Sequence, residues 1–106
     1  MFNFIIYEDE PIFRDKYFAI IEKFIGESNL AYDVIEIPRY SEKNYEKMIN
    51  ISGNNIYILD IEVPGKSGLD LAREIRNTGD WKSQIIIVTS HEDLKNFDYQ
   101  SSMLFF

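Results

Sequence analysis

A doubly wound α/β domain built on a parallel sheet is the fold class this sequence predicts, and three observations carry it. Four short runs rich in β-branched and aromatic residues are spaced along the chain. Stretches with apolar residues three to four apart separate them. The resulting order, β-α-β-α-β-α-β, implies right-handed crossovers and a sheet covered by helices on both faces. The 106 residues fit one domain, 1–106, with no repeat, low-complexity segment or linker dividing them.

The first run, 2–7 (FNFIIY), is apolar almost without interruption, as expected of a strand buried on both faces. Pro11 suits the first turn of the helix that follows, whose stripe is Phe13, Tyr17, Ile20, Ile21 and Phe24, with Gly26 at its end. The run at 32–37 (YDVIEI) alternates polar and apolar residues, which places it nearest a sheet edge. Ser41 caps a second helix that turns Tyr45, Met48 and Ile49 inward. The third run, 56–61 (IYILDI), is a central strand, and Pro64 and Gly65 make a tight turn after it. Ser67 caps a third helix carrying Leu69, Ala72 and Ile75 inward and closing near Gly79, while Gly68 permits close backbone approach at its start. The fourth strand is 85–89 (IIIVT). Beyond it, 103–106 (MLFF) reads either as the first half of a fifth strand or as the end of a fourth helix containing Leu94 and Phe97.

Composition narrows the function classes. A formal net charge of −7 repels phosphate backbones and anionic lipid, so neither nucleic acid nor membrane is an expected partner of this chain itself. With no cysteine there is no disulfide framework, thiolate metal site or cysteine nucleophile, which is compatible with the expected cytoplasmic location. The apolar start lacks a basic leader and runs into Glu8, Asp9 and Glu10, so it reads as a strand and not as a signal.

The chemistry sits at the strand ends. In open parallel sheets the functional crevice lies beyond the carboxyl ends of the strands, where the strand order reverses. Glu8, Asp9 and Glu10 follow the first strand, Asp60 lies at the end of the third, and Thr89 ends the fourth. With the flavodoxin-like strand order 2-1-3-4, Asp9 and Asp60 face each other across that crevice. Two carboxylates at close range need a cation or a proton, and hard oxygen ligands favour Mg²⁺. Glu8 and Glu10 are also explicable as a solvated loop that suits the positive end of the first helix. Asp60 is harder to explain structurally, because it ends an apolar run and loses solvation there unless something compensates. Thr89 and Ser90 can donate to a phosphoryl oxygen or simply bond local backbone.

These residues resemble a family. YEDEP at 7–11, LD at 59–60, VPGKSG at 63–68 and IIIVTS at 85–90 are together similar to the receiver domains of two-component response regulators, across nearly the whole chain. The resemblance implies that Asp60 is the phosphoacceptor, with a sensor histidine kinase as donor. It implies Mg²⁺ held by Asp9, Asp60 and the backbone carbonyl of Glu62, with Glu8 acting through water. It makes Thr89 the hydroxyl that moves to the phosphoryl group, and Ser90 a small residue shaping access. The phrase IIIVTSHEDL looks closest to receivers that precede LytTR-type DNA-binding domains, such as the accessory-gene regulators, which implies a transcriptional output beyond Phe106.

The sequence departs from the family pattern at its end. The fifth strand and helix are incomplete or missing, and the lysine expected on that strand would fall past Phe106. Strand four then becomes a hydrophobic edge, open to self-association unless 103–106 or another chain covers it. Two other readings compete: a receiver-like interaction module that never takes phosphate, and a haloacid-dehalogenase-type phosphotransferase. The latter requires an aspartate where Glu62 stands. His91, the one histidine, reads as a loop residue, and Trp81 as packing.

Overall fold

The computed structural model describes residues 1–89 and the strand Met103–Phe105. Strands β1 (Phe2–Tyr7), β2 (Tyr32–Ile37), β3 (Asn54–Asp60), β4 (Gln84–Val88) and β5 (Met103–Phe105) form one sheet in the order β2-β1-β3-β4-β5. The first four are parallel, in the expected order 2-1-3-4. β2, the strand with alternating polarity, is indeed at an edge.

The unbroken apolar character of β1 follows from its two covered faces. Ile5 and Tyr7 join Leu59, Ile85 and Ile87 under helices α2 (Glu42–Ile49) and α3 (Gly68–Asn77). Phe4 and Ile6 join Ile58 and Val88 under α1 (Pro11–Ile25). Period-two side chains on a doubly covered strand must be apolar on both sides.

Several expectations are corrected in detail. On α1 the row that meets the sheet is Phe13, Tyr17, Ile21 and Ile25, whereas Ile20 and Phe24 are 48% and 66% exposed. The expected stripe mixed two adjacent i, i+4 rows, and only one of them can face the sheet. On α3, Leu71 is buried beside Ala72 and Ile75, and Leu69 packs only partly. Trp81, expected to pack, is 76% exposed in the α3–β4 connection, where the Arg76 guanidinium lies 5.5 Å from its ring centroid.

β3 starts at Asn54, before the apolar run, and stops at Asp60, one residue short of the expected end. Its polar start is accommodated by buried amides: Asn3 donates to Asn55 at 3.0 Å and to the Ser52 carbonyl at 2.9 Å, and Asn55 donates to the Ile51 carbonyl at 2.8 Å. β4 ends at Val88, leaving Thr89 just beyond it. The helix caps are as expected, Ser41 accepting from the Asn44 N–H at 2.9 Å and Ser67 from the Leu69 N–H at 3.1 Å.

β5 takes the strand alternative for the chain end and covers the edge of β4, but it runs antiparallel, with Val88 opposite Met103 and Ile86 opposite Phe105. An antiparallel neighbour needs only that the chain turn back, whereas a parallel one needs a crossover over a sheet face. Ser90, His91 and the expected fourth helix with Leu94 and Phe97 lie outside the described residues. Among the described residues, no helix is long and apolar enough to cross a membrane.

Candidate metal and phosphoryl site

The register of β1 and β3 builds the site. Tyr7 pairs with Leu59, so Glu8 and Asp9 leave β1 at the level where β3 ends in Asp60. Asp60 in turn pairs with Val88 of β4, which puts Thr89 one step past it on the same sheet end. One carboxylate oxygen each from Glu8, Asp9 and Asp60 lie within 4.8 Å of one another. Glu8 is fully buried, Asp60 is 1% exposed and Asp9 is partly buried.

Electrostatics make this arrangement unfavourable without compensation. Burial, and then the side chain of Asp60 against it, raise the Glu8 carboxyl from 4.5 to about 9. Glu8 Oε2 accepts from the Glu10 N–H at 3.2 Å, which offsets only part of that rise. Glu8 Oε1 and Asp9 Oδ1 are buried with no hydrogen-bond donor. Two buried carboxyl oxygens without a hydrogen-bond partner, in a cluster of three carboxyls, suit a hard cation with oxygen ligands, and the residues present therefore fit a divalent metal.

The main chain around the cluster is held closely. Asp60 Oδ1 accepts from the Glu62 N–H at 3.0 Å, which orients the carboxylate and starts the β3–α3 loop. A Cβ on Gly68 would come within 2.8 Å of the Asp60 carbonyl carbon, so only glycine lets α3 begin against the end of β3. Thr89 is half-buried beside this end of the sheet. Glu10 is exposed, at the N-cap of α1, as its solvated-loop reading expects.

Two residues at the site are given no functional role by the sequence reading. Arg14, in the first turns of α1, donates from one guanidinium nitrogen to the carbonyls of Glu8 at 3.0 Å and Asp9 at 2.9 Å. Being the first cation after an acidic triplet is its only sequence signal. Tyr7 reads as one more core aromatic, yet its phenol donates to the Lys66 carbonyl at 2.7 Å. Burial, then Tyr40, Asp9 and Asp60 nearby, push that phenol above its ordinary range, so it remains a donor.

No family profile matches the chain. The chain is 30% identical over 91 residues to the sensory transduction protein LytT of Oceanobacillus iheyensis, covering 83% of this chain and 33% of that protein. It thus spans about a third of the length of that curated relative. Among solved structures it is similar to response regulator TrrA from Thermotoga maritima in complex with Mg(2+)-BeF, at 28% identity and a TM-score of 0.64, over 95% of this chain and 79% of that one. It is also similar to a chain in the complex of histidine kinase ThkA with TrrA, at 32% identity and a TM-score of 0.57, over 95% of this chain and 75% of that one. The MaeR response regulator bound to beryllium trifluoride shares the fold, with 21% identity and a TM-score of 0.68 over 91% of this chain and 75% of that one. The sheet order, the acid cluster at its carboxyl end and these likenesses agree, and the chain belongs to the receiver domains of two-component response regulators.

Proposed function

We propose that this receiver accepts a phosphoryl group on Asp60 from a sensor histidine kinase in a Mg²⁺-dependent reaction. The observation that carries it is the group of Glu8, Asp9 and Asp60, with oxygens within 4.8 Å and two of those carboxyls holding a buried oxygen without a donor. Asp9, Asp60 and the Glu62 backbone carbonyl would hold the metal, with Glu8 reaching it through water. Bound there, Mg²⁺ offsets the charge of the carboxylates and of the transferring phosphoryl group.

The chain's own residues do the rest. The Glu62 N–H orients the Asp60 carboxylate, an oxygen of which attacks the phosphorus of the phosphohistidine. A P–O bond forms as the P–N bond breaks, and the histidine nitrogen keeps the electron pair and is protonated from solvent. Thr89, at the end of β4, supplies a hydroxyl to the phosphoryl oxygens and shifts with them as the switch. The complex of ThkA with TrrA supports a histidine kinase as donor, and the Mg(2+)-BeF complex of TrrA supports the metal. The likeness to LytT, a sensory transduction protein, supports a signalling role; the output proposed for this receiver is transcriptional, in the cytoplasm and outside this chain.

The test is to incubate the protein with Mg²⁺ and acetyl phosphate beside Asp60→Asn and read intact masses. A phosphoryl adduct on the wild type that vanishes in the variant supports the reading. An adduct that persists in Asp60→Asn assigns the chemistry to another residue, and no adduct on either chain favours the interaction module.

A further inference from the structure

We infer that Tyr7 is a positioning residue for the metal site: its phenol sets the β3–α3 loop, which carries the Glu62 carbonyl, against the acidic pair at the end of β1. The inference rests on the reading that Glu62 contributes a metal ligand.

The loop is tethered at both ends by features of its own strand and helix. Asp60 Oδ1 accepts from the Glu62 N–H at the start, and Ser67 caps α3 at the finish. Its middle has a glycine at positive φ, Gly65 at 94°, a conformation that contributes no rigidity of its own. That middle is held from outside. Lys66 Nζ binds Glu74 at 2.6 and 2.7 Å and sits 4.7 Å from the Tyr40 ring centroid, which places the side chain. The main chain of Lys66 is held by the Tyr7 phenol, at 2.7 Å.

Tyr7 is the last residue of β1 and directly precedes Glu8 and Asp9. Its ring is fully buried in the α2–α3 side of the core, so the phenol has little freedom to move. One strand end therefore delivers two parts of the site together. The backbone carries the Glu8 and Asp9 carboxylates, and the Tyr7 side chain sets where the loop with Glu62 stands relative to them. Groups that orient ligands from behind in this way commonly change metal affinity by about tenfold or more when removed.

Tyr57 provides a matched control. It is 1% exposed in the same core, and its phenol donates to the Met48 carbonyl at 3.0 Å, far along the chain from the loop. Tyr7→Phe and Tyr57→Phe each delete one phenol-to-carbonyl bond, part-buried at Tyr7 and buried at Tyr57, and keep the ring. The experiment measures the Mg²⁺ dissociation constant by calorimetry and the thermal midpoint for wild type and both variants, and the Mg²⁺ dependence of phosphorylation by acetyl phosphate. Both midpoints are expected to fall, but Mg²⁺ binding should weaken about tenfold in Tyr7→Phe alone, with the phosphorylation rate recovering at saturating Mg²⁺. Unchanged Mg²⁺ affinity in Tyr7→Phe, or an equal loss in Tyr57→Phe, would overturn the inference while leaving the metal site standing. A wild type that binds no Mg²⁺ would overturn the reading of the site itself, and this inference with it.

Discussion

Glu8 and Asp60 meet across the ends of two neighbouring strands, and burial first, then the adjacent Asp60 side chain, raise the Glu8 carboxyl from its ordinary value to about 9. Ionising Glu8 in the metal-free site therefore costs the fold stability. Four consequences are open to measurement.

In Mg²⁺-free buffer the protein should lose stability as pH rises from about 4.5 to about 9. The folded Glu8 carboxyl binds its proton more tightly than the unfolded one, so its contribution is complete below the ordinary value and is lost as pH passes through the folded one. Thermal midpoints taken across that range should fall for the wild type and flatten in Glu8→Gln. Parallel curves for the two proteins would remove Glu8 as the cause.

Asp60→Asn should stabilise the metal-free protein by about 1 kcal/mol, because it relieves one like charge in the cluster and keeps an oxygen to accept from the Glu62 N–H. The same change should weaken Mg²⁺ binding by at least about tenfold. Urea unfolding with and without Mg²⁺ reads both effects, and a destabilised variant would mean that Asp60 has a structural partner more important than its neighbours' repulsion.

Gly68→Ala should cost about 2 kcal/mol or more, since the added methyl meets the Asp60 main chain and not a flexible side chain. The clash pushes α3 away from the end of β3, so phosphorylation by acetyl phosphate should slow in step. Chemical denaturation together with an adduct time course would check both, and a variant of wild-type stability would show that the helix start can shift freely.

Arg14→Ala should destabilise the protein by about 1–2 kcal/mol, through the loss of a charged donor to the Glu8 and Asp9 carbonyls. Arg14→Lys should recover part of this, because a single ammonium can reach one of those carbonyls more easily than both. Equal denaturation midpoints for wild type and Arg14→Ala would show that solvent replaces both bonds.

Much of this was legible along the chain because it depends on local pattern. The runs at β1 and β2 coincide with their strands residue for residue, since continuous or alternating apolar character reports directly on two covered faces or one. Ser41 and Ser67 act as caps because capping needs only the residue and the next turn. The acid triplet and Asp60 are visible as charged residues that interrupt or end apolar runs.

What depends on two elements meeting was not legible. Choosing between the adjacent rows of α1, with Tyr17 and Ile21 buried and Ile20 and Phe24 exposed, requires knowing how the helix sits on the sheet. The polar start of β3 makes sense only once Asn55 faces Asn3. The direction of β5 depends on how the chain returns to β4, which no local propensity encodes.

The sequence by itself determined the fold class, the succession of strands and helices along the chain and the set of acidic residues at the strand ends, because periodicity and residue type suffice for these. Only the tertiary structure decided that Glu8 and Asp60 share a buried environment, that Arg14 braces the acidic turn and that Tyr7 holds the loop beyond Asp60. Those relations join residues on different elements, and their distances follow from strand register and helix packing, quantities that exist only once the chain has folded.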